Sequence, residues 1–185
     1  MAIFMFTLIT FIAICLLLIC CVSTYNRYQD YIVRINESEA NIDAILRKRF
    51  DLLNKSINII KSNTKTKDEV LGIIGKLRSQ KLTNFELDRK LYDAINEFEG
   101  YKENYDSLKK CDKYLKIEVS LHESEAELEA FRKYYNDIIT DYNKMVRSIP
   151  TNLVAKMFGY KIRTYYDGKN QEDEIINDIR RLHII

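Results

Sequence analysis

Residues 128–150, LEAFRKYYNDIITDYNKMVRSIP, decide the fold. Leu128, Phe131, Tyr135, Ile138, Tyr142 and Met145 recur at strict three-four spacing, which puts them on one stripe of an α-helix and on no single face of a strand. Pro150 ends the stretch, because its ring removes a backbone donor and clashes one turn back. So regular a seam is the side that a helix lays along antiparallel neighbours. Extended toward the N-terminus, this helix covers about Leu108 to Ser148, with Leu115, Val119 and Leu121 continuing its apolar side.

Three further helical stretches precede it. Tyr25, Tyr28, Ile32, Ile35, Ile42, Leu46, Leu53 and Ile60 mark an amphipathic helix over about Tyr25 to Lys61, closed by the polar run 62–66. A shorter helix, about Lys67 to Lys81, is expected to bury Val70, Leu71, Ile74 and Leu77; Gly72 and Gly75 either weaken it or admit a close neighbour. Thr83 or Asn84 then caps a third helix with Phe85, Leu87, Leu91, Ile95 and Phe98 on its apolar face, ending between Gly100 and Tyr105. The first and fourth stretches match in length, so they are expected to pack side by side with the fourth running back toward the start of the first.

Upstream of Tyr25 the chain changes character. No charged residue occurs from Ala2 to Val22, and twenty-one helical residues reach about 31 Å, the hydrocarbon thickness of a bilayer. The basic start and small-residue cleavage site of a signal peptide are missing, so the segment reads as an uncleaved transmembrane anchor. Arg27, Arg34, Arg47, Lys48 and Arg49 follow the span and no basic side chain precedes it. The positive-inside tendency then puts the body in the cytoplasm and the N-terminus outside, with Tyr25 and Tyr28 at headgroup level. The expected fold is all-α: an N-terminal transmembrane helix (2–22), an antiparallel bundle of about four long helices (25–166) and a polar tail (167–185) with a weak helical repeat at Ile175, Ile176, Ile179 and Leu182.

Composition narrows the function. The 29 basic and 27 acidic residues nearly cancel, leaving no field to gather nucleic acid. Five Gly, one Pro and no Trp leave little turn chemistry. Cys15, Cys20 and Cys21 lie in or at the end of the apolar run and Cys111 stands alone, so no disulfide framework or metal spacing can be drawn; Cys20 and Cys21 are small apolar fillers or, alternatively, acylation sites. His122, one turn after Glu118 and near Glu123 and Glu125, faintly echoes di-metal bundles, which draw carboxylates and His from several helices. With His183 in the tail, no His-dependent triad forms, and no phosphate loop or His-Glu-x-x-His motif is present. No catalytic residue, cofactor site or metal site is expected.

Two blocks resemble the LemA family of membrane-anchored helical proteins of bacteria. The first is Arg34, Ile35, Asn36, Ala40, Asn41, Ile42, Asp43, Leu46, Lys48, Arg49, Phe50, Asp51 and Leu52. The second, more specific, is Leu121, Glu125, Leu128, Arg132, Tyr135, Asn136, Tyr142, Asn143 and Pro150, similar to the family's Glu, an Arg seven residues on, two Tyr-Asn pairs and a terminal Pro. Ala155, Gly159, Tyr160, Tyr165 and Tyr166 follow its small-residue and Gly-aromatic ending. The sequence departs where the family has Pro: Asn54 in the first block and Asp106 after Tyr105; Ile149 stands for the Phe before Pro150. These departures bear on helix ends. The resemblance implies a helical bundle on one transmembrane helix, says little of activity, and by analogy points to a membrane peptidase as protein partner.

Two sets of residues stand out. Glu125, Arg132, Asn136 and Asn143 flank the seam, where polar groups hydrogen-bond across helices and fix register; a ligand-binding stripe is the other reading. Arg47, Lys48, Arg49 and Asp51 pair with acidic residues of the last helix or meet an anionic partner. Between Leu153 and Tyr166, Lys156, Met157, Phe158, Tyr160, Lys161 and Arg163 combine apolar and basic character, suited to an anionic membrane interface or to docking on the bundle end. The leading expectation is a non-catalytic membrane-anchored scaffold or adaptor of the bacterial cell envelope, touching lipid through 2–22 and presenting a rigid bundle to a protein partner or to a second copy of itself. A module that organises or senses the bilayer through its aromatic and basic C-terminal segment is the alternative.

Overall fold

The computed structural model describes residues 1–64, 70–77 and 82–167. Among them the chain is all-α, with six helices: α1 (Ala2–Thr64), α2 (Gly72–Leu77), α3 (Asn84–Asn104), α4 (Asp106–Lys109), α5 (Asp112–Arg147) and α6 (Thr151–Phe158). It divides into two compact units, Met1–Glu37 with Tyr135–Ile185, and Ser38–Tyr134. Helices α1 and α5 each run through both.

Helix α1 is unbroken over 63 residues, as expected for an anchor continuous with the first amphipathic stretch. Its apolar start is long and apolar enough to cross a membrane and is not buried against the rest of the chain. Beyond it a heptad takes over: Tyr28, Ile35, Ile42, Arg49 and Ser56 are all buried at seven-residue intervals, with Leu46, Leu53 and Ile60 forming the companion stripe.

In the unit 38–134, α1 and α5 lie antiparallel. Arg49 meets Glu125, while Asn58, Ile59, Ser62 and Asn63 share a surface groove with Cys111, Asp112 and Lys113. Val70, Leu71, Ile74 and Leu77 are buried as expected, but the regular helix is only Gly72–Leu77; the expected extensions over 65–69 and 78–81 lie outside the described residues. Leu71 takes a left-handed φ of 50°, and its backbone N–H donates to the Glu97 carboxylate at 2.9 Å, which holds the turn into α2. Among the described residues nothing lies within 4 Å of where a Gly75 Cβ would stand, so none of them approaches closely there. Thr83 is the N-cap of α3 in a full capping box with Glu86.

Some expectations need correction. Phe85 is exposed, because the buried stripe of α3 is Asp88, Leu91, Ala94, Ile95 and Phe98. In α5 the seam begins at Tyr114 and Ile117 and reaches Leu121 through them, leaving Leu115 half-buried and Val119 55% exposed. Tyr114 explains the choice: its ring stacks on Phe98 at 4.3 Å between centroids, and its buried hydroxyl donates to the Phe98 carbonyl. An amphipathic aromatic fits there and Leu would not. The chain also breaks at Tyr105, the C-cap of α3, although no Pro follows, giving the one-turn α4 that the sequence reading did not separate.

In the unit of 1–37 and 135–185, α5 ends at Arg147 just before Pro150, and the chain forms α6 with Val154 and Ala155 inward. Gly159 adopts φ 73° and ends α6 by turning the chain back. The tail beyond Asp167, with the expected repeat at Ile175 to Leu182, lies outside the described residues.

Candidate functional site

Polar and aromatic groups are concentrated in both units. In the unit 38–134 four charged side chains from three helices converge. Arg49 of α1 is 2% exposed and reaches Glu125 of α5 at 2.5 Å and Asp88 of α3 at 4.0 Å. Arg132, two turns beyond Glu125 on α5, grips Asp88 with 2.5 and 2.6 Å hydrogen bonds and reaches Glu125 at 3.4 Å. Two guanidinium groups thus interleave with two carboxylates in a neutral cluster. The Arg49 Nε–H donates to no partner among the described residues, so the cluster is not saturated. Such an arrangement tolerates one alignment of three helices and penalises others. Lys48 adds a rim pair to Glu127 at 3.8 Å, and Arg47 pairs with Asp43 on its own helix.

Of the four seam residues singled out from sequence, Glu125 and Arg132 therefore meet; Arg49 joins them as the expected pairing of its basic run with acidic residues of the last helix, and Asp88 is the member not expected there. Arg49 was hidden in a basic run, although its position seven after Ile42 and seven before Ser56 is a core position. Asp88 gave less signal, sitting one turn before Leu91.

Asn136 and Asn143 lie in the other unit and hold the returning C-terminal segment. The Asn143 amide donates to the Arg163 carbonyl at 2.8 Å and accepts from the Arg163 N–H at 2.9 Å. One turn-pair earlier, the Asn136 side-chain oxygen accepts from the Tyr166 N–H at 2.9 Å. The two Asn side chains read backbone, as an added strand would, and their seven-residue spacing matches the three-residue stride of an extended segment. Thr140 between them bonds the Tyr165 hydroxyl at 3.1 Å. This explains why a helix seam carries amides.

The same unit builds an aromatic collar where the apolar run of α1 ends. Tyr160 stacks on Tyr28 at 4.5 Å and receives a 2.8 Å hydrogen bond from Gln29. Tyr142 packs edge-on against Tyr28 at 5.9 Å, and the Tyr28 hydroxyl donates to the Thr151 carbonyl at 3.3 Å. Burial raises the phenol pKa values of Tyr28 and Tyr142, since the ionised form would lose its water. Phe158 packs on Tyr25 at 4.8 Å. Met157 and Phe158, with Cys21, Val22 and Tyr25, line an apolar recess of about 210 Å³. Among the six residues proposed for partner or membrane contact, Tyr160 is half-buried in the collar and Arg163 is held by Asn143. Lys156, Met157, Phe158 and Lys161 stay exposed.

Elsewhere, His122 sits at the surface 3.8 Å from Glu99, and among the described residues no group of three or more His, Cys, Asp or Glu is placed to hold a metal ion. No curated protein matches the chain. The LemA family model matches residues 38–177, beginning past the apolar run and taking in α2 to α6, the ionic cluster, both Asn clamps and part of the tail. With well over half of its length matched, the chain belongs to the LemA family.

Proposed function

We propose that the chain is a non-catalytic, membrane-anchored scaffold or adaptor of the bacterial cell envelope, with its body in the cytoplasm and its helical surface offered to a protein partner. The observation that carries this reading is α1: one unbroken helix whose first third leaves its apolar side chains uncovered and whose remainder is a heptad core. Uncovered apolar residues on that scale call for lipid, and α1 continues from the apolar run into the heptad stretch without a break. The ionic cluster supports a structural role, since its charges face each other. By family analogy a membrane peptidase is the first partner class to test. Alkaline-carbonate extraction and protease accessibility in intact spheroplasts test anchor and topology, and in-cell crosslinking tests partnership. Retention in the membrane, a protected body and a crosslinked complex lost on deleting 2–22 are expected. A carbonate-soluble protein, or a monomer that crosslinks to nothing, overturns the proposal.

A further inference from the structure

Helix α6 places its apolar residues unusually for a short surface helix. Val154 and Ala155 face inward, yet Leu153, Met157 and Phe158 are 63%, 65% and 49% exposed, and Ile149 and Ile162 on either side are exposed as well. Leu153 and Met157, four residues apart, share one outward side of α6, and Phe158 lies next to Met157 at its end. An apolar patch of this kind marks a contact surface.

What the patch faces follows from its position along α1. At one end of α6, Thr151 is bonded by Tyr28; at the other, Met157 and Phe158 share their recess with Cys21, Val22 and Tyr25. Eight helical residues span about 12 Å, close to the rise from Tyr28 back to Cys21. Helix α6 thus runs antiparallel to α1 and brings Phe158 to the level of Val22, where the apolar run ends. Gly159 then reverses the chain at that depth, and Tyr160 returns to the Tyr25 and Tyr28 level. Aromatic rings are favoured at headgroup level, and Lys156 and Lys161, exposed on either side of the tip, suit anionic headgroups.

We infer that α6 and the turn at Gly159 form an interfacial foot: Leu153, Met157 and Phe158 enter the boundary between headgroups and acyl chains in the leaflet from which α1 emerges, and Lys156 and Lys161 meet anionic lipid. The occupant is the bilayer, because Cys21 and Val22, which line the recess, belong to the apolar run; a protein filling it would have to enter lipid. The inference rests on the anchor reading above and goes beyond it, adding a second membrane contact from the far end of the chain.

The absence of Trp from the sequence makes a single reporter unambiguous. Full-length Phe158→Trp, Met157→Trp and Val22→Trp are reconstituted in phosphatidylcholine–phosphatidylglycerol vesicles whose acyl chains carry bromine either near the headgroup or near the terminus. Exposed Tyr92→Trp serves as the solvent reference. The foot predicts blue-shifted emission and strong quenching at 157 and 158, greatest with shallow bromine, as for an apolar face sunk about 5–10 Å. Charge reversal of Lys156 and Lys161 to Glu is expected to reduce that quenching. Quenching at 22 alone overturns the foot and leaves the anchor standing. Blue-shifted emission at 157 and 158 without quenching means that protein covers the patch, which also overturns it. Loss of quenching at all three positions removes the anchor and the foot together.

Discussion

Replacing Asp88 by Asn keeps the side-chain shape and takes one negative charge from the ionic cluster of α1, α3 and α5. Among the described residues, Glu125 is then the carboxylate left to the guanidinium groups of Arg49 and Arg132. Breaking a buried pair by removing one partner costs about 3–5 kcal/mol. Here Arg49 and Asp88 are enclosed, but the Glu125 side chain is 43% exposed and water reaches Arg132, so the lower end, about 3 kcal/mol, is expected. For a chain of this size that lowers the thermal midpoint by about 6–12 °C. The assay is thermal unfolding of the full chain in detergent, followed by far-UV circular dichroism. Asp43→Asn, which removes the exposed partner of Arg47, is the control and should leave the midpoint unchanged. Replacing all four charged residues by Met or Leu should restore most of the lost stability, since apolar packing can substitute for a buried ionic group. If Asp88→Asn melts with the Asp43→Asn control, the cluster is not the enclosed, mutually dependent unit described above.

Three other outcomes are expected. Thr83→Ala should destabilise α3 by about 1 kcal/mol in urea titration. Bonds from the Thr83 backbone, then its hydroxyl, hold the Glu86 carboxyl below its usual range, so the carboxylate's part of the box is present above the ordinary Glu pKa and is lost as pH falls through the lowered one; the gap between wild type and variant should narrow in acid but not close, because the Thr83 hydroxyl still accepts from the Glu86 N–H at 3.3 Å. Asn143→Ala leaves the Arg163 N–H and C=O without their partner, costing about 1–3 kcal/mol, and should raise amide exchange across 160–166 while α3 is unaffected. Burial first, then Glu118 and Glu99, raises the Tyr114 pKa. Its contribution to stability is therefore whole below the ordinary phenol value of about 10 and lost as pH climbs past it. Tyr114→Phe should flatten that alkaline loss, and ultraviolet titration should show one fewer late-ionising phenol in the variant than in the wild type.

The helical architecture was legible because three-four spacing is a direct image of the helical turn. The seam from Leu128 to Met145, the apolar run of α1 and the Thr83 cap all carried their signal locally. Other features depended on partners distant in sequence. Val119 looks like a seam residue until Tyr114, whose hydroxyl needs the Phe98 carbonyl, sets the phase of α5. Arg49 reads as one of three basic neighbours until its heptad position is weighed above its charge. Asn136 and Asn143 announced hydrogen bonds, but their partners are backbone groups of 163–166, which carry no side-chain signature. The apolar and basic character of 153–166 was visible, yet only the fold separates the docked Tyr160 and Arg163 from the exposed Met157 and Phe158.

The continuity of α1 through Val22 and Tyr28 leaves no swivel between the greasy run and the tyrosine collar. Rolling the run within its surroundings by some angle must turn Tyr28 and Ile35 by that same angle, as a key turns its bit. One residue inserted at Ser23 would rotate the collar by about 100° against the run, and seven would be needed to bring it nearly back into phase. The spacing between them is thus fixed as an angle as well as a length, and small deletions there should be tolerated far less than substitutions.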